Sequence, residues 1–107
     1  MIDVKCLASG SSGNSYAIDD GESVLLLEAG IPAKKILSGY LQLLPRVAGA
    51  LITHEHQDHA KGAAGIAAKG IDLYATAGTF EGIPDIDRPY RKHVVRIGEQ
   101  FRLSSWT

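Results

Sequence analysis

The chain has 107 residues, 45% of them hydrophobic and 21% charged, with a net charge of −1. That length suits one domain burying about two thirds of its unfolded surface. The near-neutral balance excludes a strongly basic nucleic-acid clamp and an acidic tail. No apolar run approaches the roughly 18 residues of a membrane span, and the amino terminus, with Asp3 and Lys5, lacks the apolar core of a signal peptide. Cys6 is the single cysteine, so an intramolecular disulfide is impossible and a reducing compartment fits. A soluble, cytoplasmic protein is expected.

Residues 2–8 alternate as a half-buried strand does, with Ile2, Val4, Cys6 and Ala8 on one face and Cys6 a small buried apolar residue there. Residues 9–15, with Gly10, Gly13 and Asn14, carry a turn signal. A phosphate-cradling loop of Walker type requires glycine and lysine where Ser15 and Tyr16 stand, so residue chemistry favours a plain hairpin turn. Residues 15–19 and 23–28 predict two strands joined by Asp20-Gly21, a short hairpin signal. After Gly30, Pro32 suits a first helical turn, and Ile36, Leu37, Tyr40, Leu41 and Leu44 recur at helical spacing, as a core stripe, up to Pro45. Residues 47–53 read as a short, continuously apolar strand of the buried parallel kind.

That strand delivers His54-Glu55-His56-Gln57-Asp58-His59 at its carboxyl end, where open α/β sheets place their ligands. Three of the chain's four histidines fall in these six residues. A lone histidine is most often a hydrogen-bonded side chain, but shuffling this composition yields His-x-His-x-Asp-His with a probability on the order of one in a few thousand. Imidazole and carboxylate suit Zn²⁺, and Mn²⁺ or Fe²⁺ accept the same set. In an extended segment His54 and His56 point the same way and can grip one ion. Asp58 and His59, where the chain turns, are aimed elsewhere, which suggests two ions roughly 3.5–4 Å apart. A His-Glu-x-x-His helix is excluded, because position 58 is Asp58.

Residues 60–69, rich in alanine with Gly62 and Gly65, predict a helix lying close on a sheet, its amino-terminal end beside the metals and suited to an anionic substrate. Residues 72–76 predict a strand, 78–82 a short turn or helix, and 83–89 a loop. Residues 94–97 and 100–106 read as a closing hairpin around Gly98. Arg88, Arg91, Lys92, Arg96 and Arg102 read as a solvated face rather than a phosphate contact, and His93 among them as a surface residue.

On the apolar strand into Thr53-His54, the signature at 54–59 and the turn Leu26-Leu27-Glu28-Ala29-Gly30, the sequence resembles the metallo-β-lactamase-fold superfamily. The segments Leu7-Ala8-Ser9-Gly10-Ser11-Ser12-Gly13-Asn14-Ser15 and Gly30-Ile31-Pro32-Ala33-Lys34-Lys35-Ile36 are similar to the small single-domain branch of exonuclease-like YycJ (WalJ) proteins and relatives of cyclic phosphodiesterases. The resemblance implies an α/β fold, the amino-terminal half of an αββα sandwich, with a mixed sheet and helices on one face. It implies His54 and His56 on a first ion, Asp58 and His59 on a second, and Asp58 as the catalytic carboxylate. It places the 9–15 loop close to the metals. Glu28 stands where the family usually has aspartate. Di-iron oxygen-reducing members carry glutamate at the place of His56, so the hydrolase side is implied.

A catalytic zinc usually holds three protein ligands, whereas each ion here has two. The resemblance places the missing ligands, a histidine, a bridging aspartate and a last histidine, in a second half. Two functions follow: half of a metal-dependent phosphodiesterase or nuclease, or a non-catalytic metal-binding or interaction module. Residues 24–27 and 50–52 are apolar consecutively, which implies cover on both sheet faces. The helices supply one cover, so a homodimer or the missing carboxyl-terminal half is expected to supply the other.

Overall fold

The computed structural model describes residues 2–83, 86, 89–96 and 98–106. Its strands are β1 (Asp3–Ala8), β2 (Ser15–Asp19), β3 (Val24–Leu27), β4 (Val47–Leu51), β5 (Leu73–Ala75) and β6 (Lys92–Val94), in one sheet of that same order. β1, β2 and β3 pair antiparallel, and β3 to β6 pair parallel. Tight turns explain the first half: the Asp19 and Asp20 carboxylates accept from the amides of Gly21, Glu22 and Ser23, which closes the β2–β3 hairpin. The fold is α/β with a mixed sheet.

Side chains alternate across the strands, and one face carries the core. Ala17, Val24, Leu26, Ala50, Leu73 and Ala75 are all buried there, against Ile36, Tyr40, Ile66 and Phe80 from the helices. Helix α1 (Ala33–Gly39) follows Pro32, whose fixed φ suits the entry. It ends earlier than its apolar spacing predicts: Gly39 is its last residue, Tyr40 caps it, and Leu44 begins a separate 3₁₀ turn over Leu44–Arg46. Ile36 and Tyr40 are buried, but Leu41 is 65% exposed, so only part of the stripe is core. Tyr40 remains in the core because its hydroxyl pairs with the buried Ser15 hydroxyl at 3.0 Å. Helix α3 (Ala63–Ala68) packs on α1 through small residues, and a Cβ on Gly65 would fall 2.4 Å from that of Ala33. Helix α4 (Ala77–Glu81) is capped by the Thr76 side chain.

The segment after the histidines also departs from its expected form. The helix beginning at Ala60 instead begins at Gln57, as α2 (Gln57–Ala60), and breaks before α3. A Cβ at Gly62 would meet Ile31 O at 2.3 Å, so the glycine at the break lets the chain pass close to residue 31. A single turn of helix has little macrodipole to offer an anion.

The face of β1 that carries Val4 and Cys6 is open rather than buried. Ile2 and Val4 are 61% and 65% exposed, and Cys6 is an exposed free thiol, because β1 is the sheet edge and the helices lie on the other side.

Among the described residues the closing hairpin is not formed. Lys92–Val94 joins the sheet parallel to β5, and residues 103 and 106 make only an isolated bridge. Ile97 lies outside the described residues, as do Pro84, Asp85, Asp87 and Arg88 of the expected loop and basic stretch. Ile83 and Ile86, read as loop, are buried in the core.

The second sheet face, carrying Leu25, Leu27, Leu51 and Tyr74, has intrachain cover that periodicity did not reveal. Residues 99–106 run over it, Phe101 stacks on Tyr74 at 5.8 Å, and Ser105 Oγ donates to Asp20 Oδ2 at 2.5 Å. The cover is partial: Leu25, Leu51, Phe101, Leu103 and Trp106 still line an apolar groove of about 330 Å³.

Candidate metal centre

The central parallel strands end together, and the site grows from those ends. Leu27 pairs with Leu51, and the Glu28 amide donates to Leu51 O at 2.8 Å, so the ladder's last rung hands the chain to Glu28. Glu28 has φ 65°, a left-handed conformation uncommon for a residue other than glycine and frequent at functional sites. Its side chain is 8% exposed and reaches the start of the histidine segment. Oε1 accepts from the Thr53 amide at 2.8 Å, and Oε2 accepts from both Thr53 Oγ1 and His59 Nδ1.

These bonds determine ring protonation. An ionised carboxylate only accepts, so His59 presents Nδ1–H to it, and in the neutral ring the lone pair then lies on Nε2. Thr53 spends its one proton on Glu28, so it accepts from His54 Nδ1 at 2.8 Å, and His54 likewise keeps Nε2 available. One carboxylate oxygen thus orients two imidazoles, one directly and one through a hydroxyl. The longer side chain of glutamate at this position does brace the loop.

The rings converge. His54 and His59 have centroids 4.7 Å apart, and His54 and His56 stack at 6.0 Å. His59 Nε2 lies 3.5 Å from Asp58 Oδ2. Glu28, His54 and His59 each place a potential ligand atom within 4.8 Å of the others. The hydrogen bonds accepted by both Glu28 oxygens orient the rings, and among the described residues His56 and Asp58 do not join this group. His54 and His56 are exposed, whereas Asp58 and His59 are half-buried where α2 begins.

Two neighbouring segments hold this loop, and sequence reasoning assigned no role to either contact. Thr53 had appeared only as the end of a strand. Asn14 Nδ2 donates to Asp58 O at 2.9 Å, which brings the 9–15 turn against the histidine segment. Composition carries a turn signal at Asn14, but nothing in the sequence pairs it with a carbonyl 44 residues away. His93 is not a loose surface residue: it is half-buried, Nε2 is 3.1 Å from Asp72 Oδ2, and its ring stacks on Tyr74 at 4.6 Å. Arg91 also pairs with Asp72, at 2.7 Å, which leaves Arg96 and Arg102 as exposed members of the basic stretch among the described residues.

The parallel strand ends, the histidine segment that follows them and the carboxylate beneath it define a metallo-β-lactamase type of centre. Residues 8–78 match the family model of the metallo-beta-lactamase superfamily, and the chain belongs to that superfamily. Within it, the chain is 37% identical over 103 residues to the exodeoxyribonuclease WalJ of Streptococcus pneumoniae serotype 2 (strain D39 / NCTC 7466), a match covering 87% of this chain and 38% of that protein. It is 39% identical over 82 residues to the exodeoxyribonuclease YycJ of Bacillus anthracis, covering 72% of this chain and 31% of that one. The chain therefore spans less than two fifths of the length of these curated relatives. Among solved structures, a B3 metallo-β-lactamase with an active-site glutamic acid is similar with a TM-score of 0.72 and 26% identity, over 95% of this chain and 46% of that one. A chemotaxis sensor, ODP, solved as a peroxy diiron species, shares the fold at a TM-score of 0.68 and 16% identity, over 88% of this chain and 40% of that one. No described helix is long and apolar enough to cross a membrane.

Proposed function

We propose that this chain supplies one half of the metal site of a phosphodiester hydrolase of nuclease type, with His54, His56, Asp58 and His59 as ligands. The observation that carries the reading is the proton inventory around Glu28, which in neutral rings leaves the Nε2 lone pairs of His54 and His59 as available donors, with the Asp58 carboxylate 3.5 Å from the second of them. The spacing fits a cation. Two donors about 2.1 Å from a tetrahedral ion lie roughly 3.4 Å apart, close to the 3.5 Å between His59 Nε2 and Asp58 Oδ2. Two imidazoles on one such ion have ring centres roughly 5 Å apart by the same geometry; the His54 and His56 rings, at 6.0 Å, stand somewhat wider.

In this reading His54 and His56 serve one ion, and Asp58 and His59 a second. Zn²⁺ suits the donors, with Mn²⁺ or Fe²⁺ as alternatives. The ion supplies Lewis acidity and lowers the pKa of bound water. Asp58, with its side chain 33% exposed, is the catalytic carboxylate, able to accept a proton beside the substrate. The relatives named as exodeoxyribonucleases support a nucleic-acid substrate. Remaining ligands are expected from a further segment or a second copy. The open β1 edge and apolar groove support such a partner, a homodimer or a second half. A single free cysteine fits a cytoplasmic location.

One observation favours the alternative of a non-catalytic metal-binding or interaction module: four ligands give each of two ions one fewer than a catalytic zinc usually holds. Turnover of bis-p-nitrophenyl phosphate with Zn²⁺ or Mn²⁺, by the chain and by Asp58→Ala, separates the readings. The nuclease-type reading expects little turnover from monomers and turnover abolished by Asp58→Ala in any active assembly. Activity that survives Asp58→Ala would contradict it, and metal binding with no turnover in any assembly state supports the alternative.

A further inference from the structure

We infer that Asn14 is a positioning residue, whose side-chain amide ties the Asp58–His59 end of the histidine segment to the β1–β2 turn. Its Nδ2 donates to Gly10 O and to Asp58 O, both at 2.9 Å, while Oδ1 accepts from the Gly10 amide at 3.1 Å. All three bonds use the side chain, and two of them lock it to its own turn. The third reaches the carbonyl of the residue read as ligand and catalytic carboxylate. Asn14 is also held by its backbone, because its carbonyl accepts from the Gly30 amide at 2.8 Å.

Close packing shows how little freedom the junction has. A Cβ at Gly30 would fall 1.8 Å from Asp58 O and 2.7 Å from Asn14 N, and one at Gly13 would fall 2.5 Å from Gly30 O. Three chain segments separated in sequence, at residues 13–14, 30 and 58, therefore meet backbone to backbone. The Ala29 amide donates to His59 O at 2.8 Å, and Gly62 N donates to Ala29 O at 2.6 Å, which continues the contact into the helices. Glu28 orients the His59 ring from one side, and Asn14 fixes the backbone that carries Asp58 and His59 from the other.

Strong hydrogen bonding of this kind differs from a core contact in what it controls. Loss of a partner that orients a ligand typically lowers metal affinity by about 10- to 100-fold. Truncation of a core side chain at the other end of β3 from Glu28, such as the fully buried Val24, lowers global stability without touching the junction. The metal part of the test rests on the reading of Asp58 as a ligand; the backbone part does not.

The substitution Asn14→Asp retains the acceptor for Gly10 N, removes the donor to Asp58 O, and sets a carboxylate against two carbonyls. Amide hydrogen exchange on the metal-free protein reads the tie directly. The expected result is about tenfold or greater acceleration at Ala29, His59 and Ala60, with Leu26 and Ala50 in the central strands unchanged. Val24→Ala, as a control for simple destabilisation, is expected to leave that local pattern absent. Calorimetric titration with Zn²⁺ is then expected to show affinity lower by about 10- to 100-fold in Asn14→Asp and unchanged in Val24→Ala. Wild-type protection at Ala29, His59 and Ala60 in Asn14→Asp would overturn the inference. So would acceleration spread evenly through the core, or local loosening with wild-type Zn²⁺ affinity. A wild-type chain that takes up no Zn²⁺ would contradict the proposed function instead, and the exchange pattern would still decide the role of Asn14.

Discussion

His59 Nδ1 donates to Glu28 Oε2 across 31 residues of sequence, and this bond sets which nitrogen of the ring faces the other donors. The same carboxylate holds Thr53 by its amide and its hydroxyl. Glu28→Gln retains the length and shape of the side chain but replaces one accepting oxygen by a donating NH₂ group, which must oppose Thr53 or His59. The expected cost to folding is about 1–3 kcal/mol, and the expected loss in Zn²⁺ affinity is about 10- to 100-fold. Urea unfolding and Zn²⁺ titration on the same preparation check both. A variant with wild-type metal affinity would show that ring orientation does not depend on this carboxylate.

The glycines give a contrast in sign. Gly30→Ala drives a methyl group into Asp58 O and Asn14 N, both backbone atoms, and is expected to cost about 3 kcal/mol or more. Gly78 lies inside α4 with open space where a Cβ would stand, so Gly78→Ala is expected to stabilise the fold by about 0.5–1 kcal/mol. Thermal melts of the two variants should move in opposite directions from wild type.

Acid sensitivity should originate at the far edge of the sheet. Arg46 makes two hydrogen bonds of 2.7 Å to Asp19 and, with the Gly21 amide, lowers the Asp19 pKa to about 2. A carboxylate whose pKa is lower folded than unfolded stabilises the fold above its unfolded value, about 3.9. That contribution disappears as pH falls from there through about 2. Asp20, lowered chiefly by the Ser105 hydroxyl, acts in the same direction. Stability measured between pH 6 and pH 2 should therefore fall less steeply at the acid end in Arg46→Met than in wild type. Parallel curves would show that the pair contributes nothing to the acid slope.

Much of the scaffold was legible because its signals are local. Asp20-Gly21 between two strand-like segments gave β2 and β3, and the continuous apolar run before Thr53 gave the parallel strand that ends at the histidines. The four ligand candidates were legible because their spacing is improbable in this composition. What was hidden depended on distant partners. Cys6 alternates like a core residue, yet no helix lies on its side of the edge strand. Lys92 and His93 lie among charges and look like a solvated surface, but pairing with β5 turns His93 onto Tyr74 and Asp72. Thr53 and Asn14 are ordinary turn and strand-end residues until Glu28 and Asp58 are brought beside them.

The partly covered face predicts self-association. Val4 and Cys6 are open, and the 99–106 segment leaves the groove beside Leu25 and Leu51. Sedimentation equilibrium at micromolar concentration is expected to give a dimer or higher species, and Val4→Lys to shift it towards monomer. A single species of monomer mass in wild type would show that this segment already covers enough of the sheet.

The most direct test of the central claim is calorimetric titration of the wild-type chain and a His54→Ala, His56→Ala double variant with Zn²⁺. Binding by the wild type that weakens at least about tenfold in the double variant is the predicted result. Equal affinity in the two proteins, or no uptake by the wild type, would contradict a metal centre built on residues 54–59.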